Sequence, residues 1–74
     1  MEHKDLELIK QFSSTDNGLA ELFKQHQEFE RELEGLDNKS YLTVAEQMKR
    51  AEIKKKKLSG KDKIEIILKR YRHK

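Results

Sequence analysis

Seventy-four residues are enough for one domain, but a chain this short buries only about 60% of its unfolded surface and needs some added device for stability. Cysteine is absent, which excludes disulfides and thiolate metal sites and leaves self-association as the device available. Charged residues make up 42% against 34% hydrophobic, a balance close to that of disordered chains, yet there is no proline and strong helix formers dominate, so helix is favoured wherever an apolar stripe exists.

The opening MEHKDLELIK carries charges throughout, where a signal peptide needs an uninterrupted apolar stretch. No apolar run approaches the roughly 18 residues of a membrane span. The expectation is a soluble cytoplasmic protein. Leu6, Ile9 and Phe12 recur at helical spacing and predict a short helix over residues 5–12.

Ser13-Ser14-Thr15-Asp16 then offers side-chain oxygens to the first free amides of a second helix, predicted over residues 15–36. Within it Leu19, Leu22, His26, Phe29, Leu33 and Leu36 alternate spacings of three and four, with Phe23 on the edge. This is the a/d pattern of a packing seam. Gly35 and the polar run Asp37-Asn38-Lys39-Ser40 can adopt the left-handed and turn conformations that end a helix, which marks a hairpin turn.

Thr43-Val44-Ala45-Glu46 is an S/T-x-x-E capping box opening a third helix, predicted over residues 43–71. Roughly 28 residues at 1.5 Å per residue give a rod of about 42 Å. Gly60 is its weak point unless a neighbouring helix uses the close approach it allows. At 100° per residue its apolar positions fall into two groups. Ile53, Gly60, Ile64, Ile67, Leu68 and Tyr71 line one side, and Val44, Met48, Ala51, Leu58 and Ile66 lie roughly opposite. One helical partner covers one side, so the first group is expected against the seam of the second helix and the second group against another chain. The alternative is that the short N-terminal helix folds back over the second group.

The architecture expected is therefore all-α, an antiparallel, coiled-coil-like helical hairpin with a short N-terminal helix, which a dimer would turn into a four-helix bundle.

Charge is segregated. Residues 15–37 hold seven acids and two bases, whereas residues 43–74 hold four acids and twelve bases, so antiparallel pairing is electrostatically favourable. Glu30 and Asp37 flank the apolar stripe, while Glu21, Glu28, Glu32 and Glu34 point away from it. Arg50, Lys54, Lys57, Lys61 and Arg72 make one basic edge and Lys49, Lys56, Lys63 and Arg70 another. Such rows can neutralise phosphates, which makes Arg50, Lys54, Lys57 and Lys61 candidate nucleic-acid contacts. The competing reading is a solvated face with helical partners such as Lys61 with Glu65 and Glu65 with Lys69. A whole-chain charge of only +3 and no aromatic interleaving favour that reading. Membrane-surface binding is not expected, because the apolar residues of the last helix form no single broad face.

Catalysis has no support in the spacing. His3, His26 and His73 sit on different segments without an i,i+4 pair, so neither a metal site nor a nucleophile with its base can be written down, and no cofactor or small-molecule substrate is expected. His26 is expected as a packed, hydrogen-bonded seam residue. Lys61-Asp62 could set the register between helices through an interface ion pair.

Leu19-Ala20-Glu21-Leu22-Phe23, then Phe29, Leu33 and Leu36, and the stretch from Ile53 to Leu68 with Lys57-Leu58-Ser59-Gly60-Lys61-Asp62-Lys63-Ile64 at its centre, resemble the YdcH-like family of small bacterial proteins of unknown function. The likeness implies a helical hairpin and a bacterial cytoplasmic setting, with no activity to carry over. The expectation is a non-enzymatic interaction or structural module whose partner is itself, as a homodimer, or another protein. Met48, Leu58 and Ile66 are the candidate interaction surface.

Overall fold

A computed structural model describes residues 2–72. Three helices follow in order, α1 over His3–Phe12, α2 over Asn17–Asp37 and α3 over Val44–Arg72. α2 and α3 lie antiparallel in a rod of 47 × 19 × 17 Å, and α1 packs across the end where α2 begins and α3 finishes.

Each boundary has a local cause. Ser13 and Asp16 turn the chain after α1 by donating their amides to Ile9 O at 2.9 Å and Phe12 O at 2.8 Å. Asp16 then caps α2: its backbone is extended, and its Oδ1 accepts from the Leu19 amide at 3.0 Å. α2 runs through Gly35 and ends at Asn38, whose N–H bonds to the carbonyls of Glu34 and Leu36 with the backbone still right-handed. No residue described has a positive φ. The left-handed stop anticipated at Gly35 is thus replaced by a right-handed polar turn, in which the amides of Asn38 and Lys39 donate to the carbonyls of Glu34 and Leu36. α3 opens as its capping box requires. The Glu46 amide donates to Thr43 Oγ1 and the Thr43 amide to Glu46 Oε1, both at 3.1 Å.

The seam is where the a/d spacing puts it. Leu19, His26, Leu33 and Leu36 of α2 and Ile53, Ile64 and Leu68 of α3 are buried. These apolar residues form two clusters. Leu33, Leu36 and Ile53 pack near the turn with Phe29 and Leu42. Leu19, Ile64 and Leu68 pack with Ile9 of α1 at the other end, ringed by Leu8, Phe12, Leu22, Phe23, Ile67 and Tyr71. His26, on α2 between Leu19 and Leu33, stands between them at 6% exposure.

α1 does fold back, but not where the alternative reading placed it. It covers the end of the first apolar group, through Ile9, Leu8 and Phe12, and leaves the second group bare. Leu6 is 41% exposed, so the inward face of α1 is set by Ile9 with Leu8 and Phe12 rather than by Leu6. Gly60 is also simpler than anticipated. A Cβ there would meet nothing within 4 Å, so no close helix approach uses it.

Candidate functional site

Two surfaces of α3 matter, and the sequence separates them. The first faces outward. Val44 is 73% exposed, Met48 69%, Leu58 55% and Ile66 56%, and Ala51 is exposed with them. All lie on the side of α3 opposite Ile53, Ile64 and Leu68, so these apolar residues share one face of the helix. Lys55 and Asp62 interrupt that face, both exposed and neither with an ion-pair partner among the described residues.

The second surface holds the candidate phosphate contacts, and there α2 and α1 face them with acids. Arg50 Nε donates to Asp37 Oδ1 at 2.7 Å, which holds the guanidinium pKa above its ordinary value. Lys54 and Lys57 line the same groove as Glu30, Glu34 and Asp37. Lys61, one helical turn on from Lys57, lines the next cleft, with Asp5, Glu65 and Arg72 at the α1 end. The four are therefore split between two grooves, each carrying carboxylates beside its cations. Glu65 pairs with Arg72 at 3.5 Å instead of the helical partners expected for it, and Arg72 also reaches Asp5 of α1. Lys49, Lys56, Lys63 and Arg70 remain exposed along α3, with Lys56 3.8 Å from Glu52.

Lys61 and Asp62 do not set the register by an ion pair across the seam, since Asp62 points to solvent. Two other contacts do. Arg50 with Asp37 fixes the turn end. At the other end Tyr71 OH donates to Asp16 Oδ2 at 2.6 Å, and the Tyr71 ring stacks on Phe12 at 3.9 Å between centroids and 8° between planes. Tyr71 thereby joins all three helices. The hydrogen bond lowers the Asp16 pKa, with help from the Leu19 amide, and raises that of Tyr71. Sequence reading placed Tyr71 in the core but missed Asp16 as its partner; the available signal was that an antiparallel hairpin puts the start of α2 beside the end of α3.

His26 Nε2 lies 2.9 Å from Glu30 Oε1, and the ring is stacked at 6.5 Å from Phe23. Its Nδ1 is buried without a hydrogen-bond partner. Burial pushes its pKa down, Glu30 opposes this, and Lys57 and Lys61 across the seam add to it. The residue is packed and half hydrogen-bonded. His73 lies outside the described residues. Among those described, no cluster of His, Cys, Asp or Glu could hold a metal ion, and no helix is long and apolar enough to cross a membrane.

A family model described as a protein of unknown function, DUF465, matches residues 19–68, which take in most of α2, the turn and most of α3. The chain belongs to the DUF465 family. The YdcH-like resemblance is consistent with this. No curated protein and no solved structure matches. The matched span of this DUF465 chain contains the seam, the turn, Met48, Leu58 and Ile66, and leaves out α1, Asp16 and Tyr71.

Proposed function

We propose that the chain is a non-enzymatic interaction module that self-associates through the outward face of α3. The observation carrying this is the exposure of Val44, Met48, Leu58 and Ile66 on one side of a helix whose other side is already packed against α2 and α1. Apolar side chains aligned on one helix face are stabilised by a matching surface, and a chain this small gains most from a second copy. A cytoplasmic, bacterial setting and a homodimer, or failing that another protein as partner, belong to the same reading.

Nucleic-acid binding by Arg50, Lys54, Lys57 and Lys61 is the weaker reading, because a phosphate entering either groove meets carboxylates as well as cations. Sedimentation equilibrium decides the main reading. The unmodified chain is expected to dimerise, and Leu58→Glu or Ile66→Glu to yield monomers with unchanged helical circular dichroism. A chain that stays monomeric well above micromolar concentration overturns it.

A further inference from the structure

The outward face of α3 also specifies how a second copy would lie on it. In chain order the row reads Met48, Ala51, Lys55, Leu58, Asp62, Ile66 and Lys69, all exposed and spaced by three or four residues. Lys55 and Asp62 stand on either side of Leu58, seven residues apart, which is two helical turns. A two-fold axis through the middle of that interval exchanges their places.

We propose that two copies pair antiparallel along this face, with the Leu58 side chains meeting at the two-fold axis and Lys55 of each chain opposite the partner's Asp62. This rests on the self-association proposed above and adds its orientation and register. Four residues beyond each ion pair, Ala51 faces the partner's Ile66, a small side chain against a large one. Three residues further, Met48 lies under the aliphatic stem of the partner's Lys69. One flank follows the same symmetry, since Glu52 comes beside the partner's Lys63. The overlap from residue 48 to residue 69 spans about 33 Å of helix.

Charge selects this arrangement over its main competitor. A parallel pair in register would set Lys55 against Lys55 and Asp62 against Asp62, with like charges held together at a partly dry surface. The antiparallel register turns both into attractions, and because the contact is isologous each occurs twice per dimer. It also sends the two strongly basic helices in opposite directions.

The test is a charge reversal read by sedimentation equilibrium of the whole chain, with circular dichroism as a check that these exposed substitutions leave the helices intact. Lys55→Asp puts two acids together at both symmetry-related places, and Asp62→Lys puts two bases together. Each should weaken dimerisation on the order of tenfold. The double variant K55D/D62K restores opposite charges in the antiparallel register and should recover the affinity of the unmodified chain. Single variants that dimerise as well as the unmodified chain, or a double variant as weak as the singles, overturn the register while leaving self-association standing. An unmodified chain that is monomeric throughout overturns both and assigns the face to a different protein.

Discussion

His26 is the least comfortable residue in the seam, because it places one unpartnered ring nitrogen where every neighbouring a/d position is apolar. Its pKa is lowered from the ordinary 6.5 on folding. The unfolded chain therefore binds a proton more readily than the folded one as pH drops below about 6.5. Above that pH both states are neutral and the contribution is constant; below it stability falls until the folded-state pKa is passed. Urea denaturation at a series of pH values should show this decline in the unmodified chain. His26→Leu should flatten it and raise stability by on the order of 1 kcal/mol at neutral pH, through loss of the orphaned nitrogen. A decline of equal size in the variant would place its origin elsewhere. Gly60 gives a simpler expectation at the same scale. Since an added Cβ meets nothing and the backbone is helical, Gly60→Ala should stabilise the chain by up to about 1 kcal/mol in urea titrations.

At the scale of elements, the helix ends are held by different means. α3 begins on a reciprocal cap, and Glu46 also pairs with Lys39, so its pKa is held down to about 2, with the Lys39 contact the largest cause. That contribution is present above the ordinary value of 4.5 and is lost as pH falls from there toward about 2. Thr43→Ala removes the other half of the cap and should cost about 1 kcal/mol, measured by urea denaturation. α1 depends on contacts at its far side: Phe12 on Tyr71, Arg72 on Asp5 and Ile9 in the core. Tyr71→Phe keeps the ring stack and removes the bond to Asp16. Hydrogen exchange should then quicken in α1 and the last turn of α3 while the α2–α3 turn is unchanged; uniform quickening would mean that the hydroxyl holds up the whole rod rather than its end.

How much of this could be read beforehand depends on whether a contact is written into one helix or needs two. The seam residues Leu19, His26, Leu33 and Leu36 follow from spacing alone, as does the Thr43–Glu46 box, because both are periodicities within a segment. The two faces of α3 separate on the wheel for the same reason. The place of α1 does not follow, since Leu6, Ile9 and Phe12 say that a stripe exists but not what lies under it. Gly35 misled because glycine permits a left-handed stop without requiring one. The splitting of Arg50, Lys54, Lys57 and Lys61 between two grooves needed the neighbouring helices in place, since only then do Glu30, Glu34 and Asp5 come alongside.

For the whole molecule, the acidic α2 and basic α3 pack side by side, and the outward side of α3 is left bare. If a second copy covers that side, folding and association are linked, and the thermal midpoint should rise with chain concentration. Calorimetry over a wide range of concentrations checks this, and a midpoint that does not move is the result for a free-standing monomer.

The two apolar clusters, parted by His26, sit at very different distances along the chain. Near the turn, Leu36 and Ile53 need only a short loop to find each other, whereas Asp16 and Tyr71 must close 55 residues before they can bond. On loop-closure grounds assembly is expected to start at the turn and finish at the tyrosine, which pulsed hydrogen exchange checks as protection near the turn before protection in α1. Opening by the reverse order would uncover the α1 end of the rod first.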